Sequence, residues 1–171
     1  RKKKSLLIID EYIKNPRSYY YLDNEVQLIN KIELSLNENK KIVIASDSKS
    51  KAEFFLVHPG GPFFKNKDFG SWTIPKGEFT DEDPLKAAIR EFKEETGLDI
   101  SGDFIELGKV KQKGGKIVHA WAVEFDFDTA AIRSNTFQLE WPPRSKKNQD
   151  FPEVDRGEWF DFEMAVKKIN A

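Results

Sequence analysis

Glu91, Glu94 and Glu95 stand within one helical turn of one another, and Gly97 closes the run after Thr96. At about 100° per residue the three carboxylates fall within roughly 100° of one another on a helix. Leu85, Ile89, Phe92 and Thr96 fill the adjacent sector, and Lys86, Arg90 and Lys93 lie beyond it. Like charges at these spacings repel by a few tenths of a kcal/mol per pair, so a concentrated acidic stripe calls for compensation. A divalent cation supplies it. An all-oxygen donor set favours Mg²⁺, Mn²⁺ or Ca²⁺, and Mg²⁺ in particular is held jointly by carboxylates, waters and substrate phosphates. The chemistry on offer is a metal site for an anionic substrate. The competing reading of mixed Glu and Lys on a helix is a solvated face.

The element carrying these residues has readable ends. Asp81, Glu82 and Asp83 suit the positive end of a helix dipole, and Gly97 sits where a left-handed cap belongs, which predicts a helix from about Pro84 to Thr96. Around it the pattern predicts strands at Lys41 to Ala45, Glu53 to Val57, Trp72 to Ile74, Phe104 to Gln112 and Ile117 to Phe127, with a hairpin turn at Lys113 to Lys116. A Gly/Pro loop runs from His58 to Gly70. A long polar connection containing Trp141, Pro142 and Pro143 leads to a strand near Glu158 to Phe160 and a closing helix from Phe162 to Ile169. This order indicates α+β or α/β, with a mixed sheet between helices.

Read as one pattern, Gly77, Glu82, Arg90-Glu91-Phe92-x-Glu94-Glu95-x-Gly97-Leu98 closely resembles the signature of the Nudix hydrolases, G-x5-E-x7-R-E-U-x-E-E-x-G-U with U a bulky hydrophobic residue. The chain departs from it in one place, since only Glu78 to Asp81 separate Gly77 from Glu82, one residue fewer than the pattern has. The second gap, Asp83 to Ile89, fits, so the loop is read as shortened and the helix as unshifted. The segments around His58-Pro59-Gly60-Gly61, Trp72-Thr73-Ile74-Pro75-Lys76-Gly77, Lys113 to Ala122 and Phe151 to Phe160 are similar to a bacterial-type Nudix branch of nucleoside-triphosphate pyrophosphohydrolases, over about residues 41–169. The resemblance implies a Nudix fold, an α/β/α sandwich with a mixed sheet between helices. It implies Mg²⁺, with Mn²⁺ as a substitute, bound by Glu91, Glu94 and Glu95. The implied reaction is cleavage of a phosphoanhydride in a nucleoside diphosphate linked to another moiety: a nucleoside triphosphate, a dinucleoside polyphosphate or a nucleotide sugar.

Hydrolysis of such an anhydride needs charge neutralised on phosphate oxygens and a water aimed at phosphorus. The water is activated by one of the three glutamates or by a carboxylate from a distant loop, for which Glu153 is the candidate and Glu140 and Glu158 the runners-up. Arg90 is expected to point away from the acidic sector and to orient Glu91 or its loop. Glu82 is expected to support the site from outside the regular helix, and Asp83 to cap the helix before Pro84. Lys76, beside Gly77, is the phosphate contact, although a solvated lysine is the plain alternative. Phe63, Phe64 and Trp72 are candidates for stacking on a base, against a plain reading as core aromatics. His58 and His119 share no ligand spacing and are read as structural or substrate-polar groups, not as zinc ligands.

The remaining composition narrows the field. With 28 basic and 29 acidic residues and a net charge of −1 among 171 residues, nothing points globally to nucleic acid. The absence of cysteine excludes disulfides, thiolate metal sites and cysteine nucleophiles. No apolar run is long enough for a bilayer and no signal-peptide pattern opens the chain, so the expected setting is cytoplasmic. All four tyrosines precede Leu22, and all four tryptophans lie from Trp72 onward. A boundary near residue 40 is therefore expected, with 1–40 an N-terminal extension and 41–171 the Nudix domain. Leu6-Leu7-Ile8-Ile9-Asp10-Glu11 is similar to the metal-binding strand of helicase-type ATPases, yet the chain has no G-x-x-x-x-G-K-[ST] phosphate loop. The segment reads either as a strand or helix added to the core or as part of a larger helicase-like, nucleic-acid-processing polypeptide. Because every catalytic candidate lies at Lys76 or later, hydrolysis is expected to survive removal of residues 1–40 unless an early strand completes the sheet. A nucleotide-binding or regulatory module on a Nudix scaffold is the other alternative.

Overall fold

The computed structural model describes residues 4–12, 53–111 and 117–170. The expected strand at Lys41 to Ala45 and the expected turn at Lys113 to Lys116 lie outside them. The elements are β1 (Lys4–Tyr12), β2 (Glu53–Pro59), β3 (Lys76–Phe79), α1 (Pro84–Thr96), β4 (Ile105–Lys111), β5 (Ile117–Glu124), a 3-10 turn (Thr129–Ala131), β6 (Thr136–Glu140), β7 (Asn148–Pro152), β8 (Val154–Asp161) and α2 (Phe162–Lys168). Strands and helices are interspersed in an α+β arrangement.

The main sheet runs β4-β5-β1-β2-β8, and β3 also pairs with β1. It is mixed: β1 is parallel to β2 and β3, while β1 with β5, β4 with β5 and β2 with β8 are antiparallel. Lys4–Tyr12, in the stretch set apart by sequence as an extension, thus lies inside the sheet. Its first residues pair with Glu53 and Phe54 of β2, and Ile9 to Tyr12 pair with Lys76 to Phe79 of β3.

Alternation along the strands builds the interior, because successive side chains in a strand face opposite ways. Phe54 and Leu56 of β2 join Val118, Ala120 and Ala122 of β5 in one cluster with Trp72, Ala165 and Ile169. Phe55 and Val57 join Trp121 and Val123 in another, with Ala88 and Phe92 of α1. The run Phe54-Phe55-Leu56-Val57 is buried throughout and so has no polar alternation. α1 contributes to the second cluster and α2 to the first.

Two expectations need correction. Trp72 to Ile74 forms only isolated bridges, Val57 to Thr73 and Trp72 to Ile169, and the regular strand starts at Lys76. Pro75 lacks an N–H for a ladder, which ends regular pairing there. The polar connection around Trp141 is a two-stranded antiparallel hairpin, β6 with β7, with Thr136 opposite Pro152 and Glu140 opposite Asn148. Among the described residues no helix is long and apolar enough to cross a membrane.

Candidate active site

β3 and α1 bring the signature residues together. Asp83 caps α1, its side chain accepting from the Lys86 N–H at 3.0 Å with Pro84 in the first turn, and Gly97 ends it with φ of 73° and its N–H on the Lys93 carbonyl at 2.7 Å. The helix therefore begins and ends where sequence placed it. Asp81 takes a positive φ of 54° in the shortened loop, a conformation that Asp tolerates better than most residues. Glu82 stays outside the helix and reaches back to it.

Arg90 organises the acidic face. Its Nη1 donates to Glu91 Oε1 at 2.5 Å and Glu94 Oε1 at 3.1 Å, and its Nη2 donates to Glu82 Oε1 at 2.7 Å and the Glu78 carbonyl at 3.5 Å. The expectation that Arg90 points away from the carboxylates is corrected: helical projection gives the direction of the Cβ, whereas a long guanidinium folds back over the neighbouring turn. These carboxylates, Glu82 foremost, hold its pKa above the ordinary arginine value. One cation thus fixes three glutamates, the orienting role expected of it extended to Glu82 and Glu94.

Gly77 faces Glu91 so closely that a Cβ at position 77 would overlap the Glu91 carboxyl. Only glycine leaves that carboxylate its place. Burial raises the Glu91 pKa above its ordinary value, opposed by Arg90 and reinforced by the charges of Glu94 and Glu153. Glu95 is half-buried, and its Oε2 accepts the Lys76 backbone N–H at 3.2 Å. Burial pushes its pKa up to about 8, with Glu91 and Glu153 adding to the shift and Lys76 opposing it. Glu153 is exposed and joined to both neighbours of the site through its backbone. Its N–H donates to the Asn135 carbonyl at 2.9 Å and its carbonyl accepts from Gly60 at 2.8 Å, while Asn135 N–H donates to the Glu94 carbonyl at 2.9 Å.

The other expected residues divide. Glu140 accepts from the Lys146 N–H at the hairpin tip, and Glu158 lies 3.8 Å from Arg156 Nε, so neither shares the contacts of the acidic helix. Trp72, expected among substrate contacts, is corrected to a core residue. It is 1% exposed, donates through Nε1 to Asp68 at 2.9 Å, and packs edge-on against His58 and Phe160. His58 is structural, fully buried between Asp155 Oδ1 at 2.8 Å and the Lys67 carbonyl at 3.0 Å. His119 stacks on Trp121, and burial lowers its pKa. Phe63 is 57% exposed and meets Trp141 edge-on at 5.5 Å, a partner sequence did not supply.

Among the described residues no group of three His, Cys, Asp or Glu side chains is already gathered as a ligand set. The donor chemistry nonetheless fits a hard divalent cation. Glu82, Glu91, Glu94, Glu95 and Glu153 are offset by Arg90 and Lys76, and the Glu95 carboxyl, raised first by burial and then by the charges of Glu91 and Glu153, is one that a bound cation would favour in its ionised form.

A carboxylate-lined helix, a glycine opening beside it and an adjacent lysine define a class of site suited to metal-assisted phosphoanhydride hydrolysis. The NUDIX domain family model matches residues 38–171. The chain belongs to the Nudix family, whose general activity is hydrolysis of pyrophosphate bonds with divalent metal ions. No match to the chain was found among curated proteins or among solved structures.

Proposed function

We propose that this protein is a Mg²⁺-dependent pyrophosphohydrolase that cleaves the phosphoanhydride of a nucleoside diphosphate linked to another moiety, and that it acts in the cytoplasm. The carrying observation is the joint placement of Glu91, Glu94 and Glu95 beside Gly77 and Lys76, with Arg90 fixing two of the three glutamates. The two side-chain clusters, one taking α1 and the other α2, support an α/β/α sandwich as its frame.

In this reading Glu91, Glu94 and Glu95 hold the cation, which when bound neutralises charge on the nonbridging phosphate oxygens. Lys76 lies beside Glu95 and contacts the diphosphate. Arg90 and Glu82 position Glu91 and Glu94 without touching substrate. Glu153, whose charge is felt at both Glu91 and Glu95, accepts a proton from the attacking water. A water oxygen then forms a new bond to phosphorus as the bridging P–O bond breaks, and the leaving phosphate departs with the electron pair.

A phosphate-release assay over nucleoside triphosphates, dinucleoside polyphosphates and nucleotide sugars, with Mg²⁺ and then with EDTA, tests the proposal. Turnover of at least one class, abolished by EDTA and restored by Mg²⁺, is expected. Binding without turnover across the whole panel would favour a regulatory module instead.

A further inference from the structure

Glu153 is the single residue between β7 and β8, at the corner where the chain leaves the two-stranded hairpin for the main sheet. The hairpin ladder ends at Thr136 opposite Pro152, and the register of β2 with β8 shifts between His58 and Pro59, beside the pairing of Pro59 with Val154. Neither ladder therefore fixes the direction in which the Glu153 side chain leaves the backbone. Its charge is nevertheless felt at Glu91 and Glu95, so contacts outside the ladders set it toward the acidic helix.

Residues 133–135 make those contacts. The last carbonyls of a helix have no partner within it. Here Thr96 C=O accepts from Arg133 N–H at 2.8 Å and Glu94 C=O accepts from Asn135 N–H at 2.9 Å. The segment lies close against the helix end, since a Cβ at Gly97 would come within 2.6 Å of the Arg133 carbonyl. On its other side Asn135 C=O accepts from Glu153 N–H at 2.9 Å, and Ser134 Oγ accepts from Val154 N–H at 3.0 Å. The Ser134 hydroxyl donates in turn to the Asn135 carbonyl at 3.0 Å. Of these links between α1 and the Glu153 corner, those of Ser134 alone run through a side chain. Val154 is buried, so its N–H would lose its acceptor without gaining water if the hydroxyl were removed.

We infer that Ser134 is a positioning residue for the hydrolysis, its hydroxyl holding Glu153 where the carboxylate meets the attacking water. The inference rests on the hydrolase reading with Glu153 as proton acceptor, and adds the group through which that residue is placed. Ser134 acts through Glu153, whereas the cation and the diphosphate fall to Glu91, Glu94, Glu95 and Lys76. A change at Ser134 is therefore read in the chemical step and not in binding.

The test is steady-state hydrolysis, with Mg²⁺, of whichever of ATP, diadenosine tetraphosphate and UDP-glucose the wild-type chain turns over fastest. Wild type is compared with Ser134→Ala, Ser134→Thr, Glu153→Gln and the double variant Ser134→Ala/Glu153→Gln. Expected for Ser134→Ala is a loss of about 10-fold in kcat, with KM and the Mg²⁺ concentration for half-maximal rate each within about 2-fold of wild type. Ser134→Thr, which keeps the hydroxyl, should recover most of that loss. In the Glu153→Gln background Ser134→Ala should change kcat by less than about 2-fold, because the two residues act on one step. Ser134→Cys, close in size but a weak acceptor, gives the same comparison if Ser134→Ala does not fold. Additive losses in the double variant, an equal loss in Ser134→Thr, a rise in KM or Mg²⁺ requirement that matches the fall in kcat, or wild-type kcat in Ser134→Ala would overturn the inference and leave the hydrolase intact. Wild-type kcat in Glu153→Gln would do the same. Failure to hydrolyse any of the three nucleotides would remove the hydrolase reading and this inference with it.

Discussion

Gly77 serves the site through the side chain it lacks, since the Glu91 carboxyl fills the space a Cβ would take. Gly77→Ala is expected to displace the flexible end of Glu91, with little effect on melting temperature, and to lower kcat/KM by on the order of 100-fold, the scale of loss for a misplaced catalytic group. Unaltered kcat/KM would mean that Glu91 need not stand there. The loop carboxylates form a graded series. Glu82→Gln removes one partner of Arg90 and should cost less activity than Glu95→Gln, while Asp83→Ala should cost about 1 kcal/mol of stability by loss of the cap and least activity of the three. If Asp83→Ala proves more damaging to kcat/KM than Glu82→Gln, the acidic position of the signature belongs to Asp83. Glu95 also sets a pH dependence. Its pKa rises from 4.5 to about 8 in the folded, metal-free chain, which therefore retains a proton that the unfolded chain has lost between those values. Metal-free stability should fall as pH rises through that window and level off above it, and Mg²⁺ affinity should weaken as pH falls below about 8 because the ion displaces the proton. Melting curves in EDTA and in excess Mg²⁺, from pH 5 upward, check both signs.

At the scale of elements, what sequence reveals depends on how local the cause is. α1 was legible to both ends because Asp83, Pro84 and Gly97 act within a turn of where they stand. β2 and β5 were legible as apolar runs with blurred ends, and β8 only near Glu158 to Phe160, because its first half is Val-Asp-Arg-Gly. β3 was not, because Lys-Gly-Glu-Phe has no strand-like composition and is held by pairing with β1, far away in the chain. The side chain of Trp72 was misassigned for a related reason. An aromatic next to a loop looks the same in sequence whether it faces solvent or, as here, Phe160 and His58. Arg90 shows the limit at the site itself: spacing gives its sector, while its grip on Glu82 depends on the path of the shortened loop. The strongest expectation at this scale concerns β1, which pairs with β5 along its length from Ser5 to Tyr12 and on its other edge with β2 and β3. Removing residues 1–12 should expose the β5 edge and yield aggregated protein, seen in solubility and circular dichroism. A soluble, active truncation would show that the sheet closes without it.

Across the whole molecule, a near-neutral chain concentrates its chemistry on one acidic helix and sets a basic, aromatic hairpin beside it. The Nudix match over residues 38–171 covers both features. Family and helix were readable because the signature packs its chemistry into a short stretch from Gly77 to Leu98. The placement of Glu153 was readable only as one candidate among three, since its approach depends on Asn135 and Gly60, which sequence does not connect to it. The proposed mechanism turns on Glu95 as a ligand of a catalytic ion. The most direct measurement is kcat of Glu95→Gln against wild type on a hydrolysed nucleotide at saturating Mg²⁺, with circular dichroism to verify the fold. A loss of at least about 100-fold in a folded variant is expected, because a charged ligand is removed without loss of core volume. Turnover close to wild type would contradict the metal assignment and the mechanism built on it.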